Sequence, residues 1–152
     1  MTSELTIRPI VASDEAEWRR LWTGYLTFYE TTLPEEVYQT TFARMLAGNS
    51  GTANEFRGLV AERNGTPCGL VHYVFHRHGW KIENVCYLQD LFADPAVRGS
   101  GVGRALIEAV YAAADAEGCP SVYWHTQTFN ETARKLYDRI GTLTPFIMYK
   151  RG

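Results

Sequence analysis

No run of basic residues occurs anywhere in this 152-residue chain, and its formal net charge is -2. The electrostatic footprint of a nucleic-acid-binding protein is therefore missing, and neither DNA nor RNA is expected as a partner. No apolar stretch approaches the length that crosses a bilayer, and the opening MTSELTIRPI has no basic region followed by an apolar block. Neither a membrane nor export is expected. Cysteine is scarce: Cys68, Cys86 and Cys119 are odd in number and lie at no metal-ligand spacing, which points to reduced core thiols of a cytoplasmic protein and to no metal centre. His76 and His78 sit in a polar turn without carboxylate or thiolate spacing beside them and read as solvated. There is no internal repeat, linker or low-complexity segment, and a 45% hydrophobic content over this length suits one domain, residues 1–152, with a real core.

What is present is organised around residues 87–103, YLQDLFADPAVRGSGVG. β-forming residues run to Ala93, Asp94 and Pro95 break the strand, and Gly99, Gly101 and Gly103 follow just before a strongly periodic helix. Glycine lets backbone N–H groups converge without a Cβ in the way, and a helix amino terminus adds partial positive charge. A phosphate-bearing ligand is the first expectation. The P-loop signature G-x-x-x-x-G-K-S/T is absent, and G-x-G-x-x-G fails because Arg104 falls where its third glycine would stand.

Along the chain, residues 5–10 alternate as a first strand, and Ser13-Asp14 with Glu17 has a capping-box-like spacing at a helix start. That helix carries Trp18, Leu21, Trp22, Tyr25, Phe28 and Tyr29, more rings than one buried stripe requires, so some are expected to face a cleft. Pro34, Glu35 and Glu36 open a second helix, which Gly48 is expected to close. Asn64-Gly65 between two alternating runs predicts an antiparallel hairpin. After the glycine turn, Val102, Ala105, Leu106, Ala109, Val110 and Ala113 predict a helix ending at Gly118. SVYWHT, residues 121–126, then predicts a strand parallel to the fourth, Asn130 starts a last helix that Gly141 stops, and residues 146–150 predict a final strand.

The segment Arg98-x-x-Gly101-x-Gly103 after a strand resembles the coenzyme A pyrophosphate loop of the GNAT superfamily of N-acetyltransferases. YLQDLFADPAVRGSGVGRALI, SVYWHT, Asn130 and LYDRIG follow in the family's order, closest to a small subgroup acetylating polyamines, histone-tail lysines or D-amino acids. The resemblance implies an α/β (α+β) GNAT fold: a mixed, largely antiparallel six- to seven-stranded sheet, splayed between strands four and five and flanked by four helices. It implies acetyl-CoA as cosubstrate and direct attack of a primary amine on the thioester, the acceptor being a small cationic amine, an amino acid or a protein lysine. The alternative is a catalytically silent acyl-CoA sensor.

The resemblance assigns coenzyme binding to Arg98, Gly99, Ser100, Gly101, Val102, Gly103 and Arg104, to the strand edge of Leu91, Phe92 and Ala93, and to Asn130. Tyr137 aligns with the tyrosine that returns a proton to the coenzyme A thiolate, a task suited to a phenol with an ordinary pKa near 10. Tyr137 also lies on an apolar helix face with Leu136 and Ile140, where an aromatic is ordinarily core. Gln89 stands where polyamine-acetylating relatives carry a glutamate, and an amide accepts no proton. Asp90, Glu83, His72 and His125 are the other candidate bases, and strand parity puts Asp90 on the face opposite Gln89. The acceptor side draws on Trp22, Tyr25, Tyr29, Glu30 and His125, with Glu35, Glu36 and Tyr38 nearby, rings and carboxylates that suit a cationic amine. Eleven residues follow Gly141, short for two closing strands, so a homodimer sharing its last strand is expected.

Overall fold

The computed structural model describes residues 4–51 and 56–152. Five strands form one open sheet in the order β1-β2-β3-β4-β5: β1 (Leu5–Pro9), β2 (Phe56–Arg63), β3 (Thr66–His76), β4 (Val85–Ala93) and β5 (Val122–Tyr123). The first four are antiparallel neighbours, while β5 lies parallel to β4. The helices are α1 (Glu15–Phe28), α2 (Glu35–Asn49), α3 (Val102–Ala116) and α4 (Glu131–Ile140).

The local signals translate into this order for identifiable reasons. Asn64 and Gly65 take φ of 53° and 80°, the left-handed pair that lets a two-residue turn follow the twist of its strands. Asp14 does not cap α1 in the expected box. Its carboxylate accepts from the Val11 amide at 2.8 Å and from both terminal nitrogens of Arg8 at 2.8 Å, which ties the strand exit to the helix start. Gly48 does not end α2 either, since the helix continues to Asn49. A Cβ there would stand 1.7 Å from the Phe56 carbonyl oxygen, so glycine is needed for α2 to lie against β2.

Two apolar clusters cover the two sheet faces. On one, Val102, Leu106, Ile107 and Val110 of α3 meet Leu59, Val71 and Leu88. On the other, Trp18, Leu21, Trp22, Phe42 and Met45 of α1 and α2 meet Val60, Leu70 and Phe92. Three features differ from the sequence expectation. The described residues form five strands instead of six or seven. The expected strand over residues 121–126 shrinks to Val122–Tyr123, with register Cys86↔Val122 and Tyr87↔Tyr123 only, so β4 is free of β5 from Leu88 onward, where the sheet was expected to part. Residues 146–150 form no strand; Phe146, Ile147, Met148 and Tyr149 remain 70–89% exposed, and their backbone bonds to no described residue.

Candidate active site

Asp94 opens a short 3-10 turn, accepting from the Ala96 amide at 3.1 Å, and the chain then passes through Gly99 and Gly101 at φ of 81° and 89° before α3 begins. Those angles are left-handed, a region where a Cβ is penalised, and a Cβ at either position would otherwise meet open space. The glycines therefore serve the path of the backbone. The Ser100 amide bonds to Val97, but the amides of Gly99, Gly101, Val102, Gly103 and Arg104 have no hydrogen-bond partner among the described residues. Free donors gathered at the start of a fifteen-residue helix are the chemistry a diphosphate needs. Arg98 reaches back to the Ala93 carbonyl at 3.3 Å and lies over the rings of Phe28 and Phe92, 5.9 and 5.8 Å from their centroids.

α1 crosses β4 and leaves a cavity to either side. One, of about 430 Å³, is lined by Arg20, Gly24, Phe28, Phe92, Asp94 and Arg98 and adjoins the glycine turn. The other, of about 390 Å³, is lined by Trp22, Leu33, Val37, Thr41, Arg44, Phe56, Val74, Gln89 and Asp90. Both touch β4, one at Gln89 and Asp90 and the other at Phe92, so the two spaces open along the same strand.

Gln89 and Asp90 share a cavity because β4 is irregular there. Asp90 pairs with His72 and Leu88 with Tyr73, leaving Gln89 as an extra residue between them. Such a bulge resets the alternation of side chains. The parity expectation that Asp90 faces away from Gln89 is thus overturned. Asp90 is 6% exposed and His72 fully buried; His72 Nδ1 lies 2.8 Å from Asp90 Oδ2, and the Trp22 indole donates to the same oxygen at 3.3 Å. Trp18 donates its indole N–H to His72 Nε2 at 2.9 Å. An indole nitrogen only donates, so His72 carries its proton on Nδ1 and gives it to Asp90. Burial would raise the Asp90 carboxyl, but the bonds from His72, Tyr25 and Trp22 outweigh it and hold the group below the usual carboxylate range.

Tyr137 projects from α4 against the Trp124 ring, with centroids 5.5 Å apart. Burial, followed by the charge of nearby Tyr29, pushes its phenol up to about 12, and its hydroxyl has no hydrogen-bond partner among the described residues. It is therefore a protonated donor at neutral pH with its proton uncommitted. Asn130 stands at the N-cap of α4 but bonds through Nδ2 to Thr126 Oγ1 at 3.2 Å. Leu91 and Ala93 turn toward the α3 side.

The profile of the Acetyltransferase (GNAT) family matches residues 16–142. The chain belongs to the GNAT acetyltransferase family. This GNAT chain is 37% identical over 153 aligned positions to the D-amino-acid N-acetyltransferase HPA3 of Saccharomyces cerevisiae, covering all of this chain and 93% of that protein. It is 26% identical to an uncharacterized N-acetyltransferase, YhfO, of Bacillus subtilis, over 90% of this chain and 89% of the relative. Among solved structures it resembles AAC(6')-Iy in complex with the bisubstrate analog CoA-S-monomethyl-acetylneamine, with a TM-score of 0.83, 20% identity and 99% of each chain covered. A ribosomal-protein-alanine N-acetyltransferase from Brucella melitensis gives a TM-score of 0.77 at 18% identity over 98% of this chain and 99% of the other. The chain is an acetyltransferase, and acetyl-CoA is the family's acetyl donor. Among the described residues no group of three or more His, Cys, Asp or Glu is placed to hold a metal ion.

The acceptor-side residues separate in space. Trp22 and Gln89 line the 390 Å³ cavity, and the Asp90 charge bears on the phenols of Tyr25 and Tyr29. Glu30 is exposed with a left-handed φ of 55°. His125 is exposed, 3.3 Å from the Tyr87 hydroxyl, and does not line that cavity. Glu35 is bound by both terminal nitrogens of Arg19 at 2.7 Å, so its charge is not free to attract a cation. Arg44 was not among the expected residues. It reads as an ordinary exposed helix position, and only the packing of α2 over the sheet puts it at the cavity.

Proposed function

We propose that this GNAT enzyme transfers the acetyl group of acetyl-CoA to the primary amine of a small amino-acid-like acceptor, by direct attack of the amine nitrogen on the thioester carbonyl. The observation that carries this reading is the turn over residues 99–104, with five uncommitted amide donors next to a cavity that shares β4 with a second one. In this reading the diphosphate rests on the amides of Gly99, Gly101, Val102, Gly103 and Arg104, while Ser100 shapes the turn through its bond to Val97. Arg98 adds charge, and the strand edge at Leu91, Phe92 and Ala93, unpaired by β5, takes the pantetheine arm as an added strand would.

The chemistry then divides among this chain's residues. The C–N bond forms as the C–S bond breaks, one proton leaves the amine, and the departing thiolate takes one from Tyr137, whose raised phenol is charged with a proton at every ordinary pH. Gln89 accepts no proton, so it positions the amine. Asn130 lies at the head of the helix that carries Tyr137 and adjoins the coenzyme. The acceptor class is supported by the 37% identity to an enzyme named for D-amino acids. The Tyr137→Phe variant tests the acid: acetyl transfer is expected to fall by roughly 100-fold or more while acetyl-CoA still binds. Transfer at the unchanged rate would remove Tyr137 from the mechanism.

We further propose that the enzyme is a homodimer whose copies associate through residues 142–152. Leu143, Phe146, Ile147, Met148 and Tyr149 are all at least 70% exposed, and β5 is an open edge. Three free, buried cysteines fit a reducing, cytoplasmic setting.

A further inference from the structure

Two opposite charges line the cavity beside Gln89, and neither has an oppositely charged partner among the described residues. Asp90 is nearly buried, and its one ion-pair contact among the described residues is with His72. That imidazole gives its Nδ1 proton to Asp90 and accepts an indole proton on Nε2, so it is neutral and leaves the pair with a net negative charge. The imidazole and Trp22 bonds fall on Oδ2, and Tyr25 also donates to this carboxylate, but all three donors are neutral and none cancels its charge. Arg44, on α2, lines the same space and makes no hydrogen bond or ion pair among the described residues. Between these poles the wall is apolar: Trp22, Leu33, Val37, Phe56 and Val74.

Asp90 is held away from water without a counter-ion, which is unfavourable, so a cationic group that pairs with it relieves that cost on binding, while Arg44, exposed and lining the same space, attracts an anionic group. A polyamine would satisfy Asp90 and be repelled by Arg44. A carboxylic acid without an amine would do the reverse. A zwitterion answers both, and a guanidinium suits a planar carboxylate because it offers two parallel donors.

Resting on the transferase reading above, we propose that Asp90 and Arg44 are the two poles of an α-amino-acid site, Asp90 taking the ammonium end and Arg44 the carboxylate, with an apolar side chain against Trp22 and Phe56. Trp18 and His72 are positioning residues that fix the carboxylate of Asp90. Arg44 is the specificity determinant that separates amino acids from carboxylate-free amines. The bound ammonium gives one proton to solvent water before attack and the nitrogen gives a second to water once the C–N bond has formed, so Asp90 holds charge without serving as the base.

The test is calorimetric binding of D-phenylalanine, L-phenylalanine and phenethylamine to the full chain with coenzyme A present, for wild type and Arg44→Gln, with thiol release from acetyl-CoA measured in parallel. At least one enantiomer is expected to bind wild type ten-fold or more tightly than phenethylamine, and Arg44→Gln is expected to erase that advantage, with Arg44→Lys restoring part of it. Equal binding of the amine, absence of amino-acid binding, or an advantage that survives Arg44→Gln overturns the proposal. The two readings fail separately. Selective binding without thiol release keeps the amino-acid site and removes the transferase, whereas thiol release with no preference for the carboxylate does the opposite.

Discussion

Three donors surround the Asp90 carboxylate, and they explain why it stays charged in a nearly closed space. Burial opposes ionisation, and donors from His72, Tyr25 and Trp22 overcome it. Because the folded carboxyl lies below its ordinary value, its stabilising contribution is complete above the unfolded carboxylate range, near pH 4, and is lost as pH falls through the lowered value. Removing the imidazole with His72→Ala takes from the buried Asp90 charge its 2.8 Å bond, leaving it Tyr25 and Trp22, and leaves the Trp18 N–H without a partner. We predict that this substitution lowers unfolding free energy in urea by about 3 kcal/mol or more; a loss under about 1 kcal/mol, the scale of one ordinary neutral hydrogen bond, would mean the Asp90 carboxyl is protonated. The sequence offered Asp90 and His72 as titratable groups but misjudged the first. Alternation along a strand is a sound rule until a bulge inserts a residue, and nothing in YLQDLF announces that Gln89 is the one without a partner.

At the scale of elements, what was legible is what is local. The Asn64-Gly65 turn needs two left-handed residues in sequence, the α3 stripe needs only helical spacing, and the glycine turn needs residues tolerant of φ near 80–90°. Elements completed by distant or absent partners were not legible. β5 keeps two residues, paired with Cys86 and Tyr87 only, and residues 146–150 have the composition of a strand but pair with no described residue. That segment yields its own prediction. Sedimentation at micromolar concentration is expected to give a dimer for the full chain and a monomer after deletion of residues 143–152. A full-length monomer, or a dimer that persists after the deletion, would contradict association through this segment.

Across the whole molecule, β4 links the glycine turn at its end to the space beside Gln89 and Asp90, and α1 borders both. α3 on one face brings its amino terminus, with the glycine turn, to the end of β4, while α1 and α2 on the other face enclose the space at Asp90 and Arg44. α4 carries Tyr137 against Trp124, near enough to α1 for the charge of Tyr29 to bear on it. The glycine turn was readable from spacing, and Trp22 and Asp90 were named singly, but Arg44 beside them was not, because the three belong to three elements that only tertiary packing brings together. We propose that the uncommitted amides of residues 99–104 grip the diphosphate of acetyl-CoA. Isothermal titration of acetyl-CoA into wild type and Gly101→Ala tests it most directly. One molecule is expected to bind per wild-type chain, and at least ten-fold more weakly to Gly101→Ala, whose φ of 89° a Cβ resists. Absence of heat with wild type, or equal affinity in the two proteins, would contradict the account.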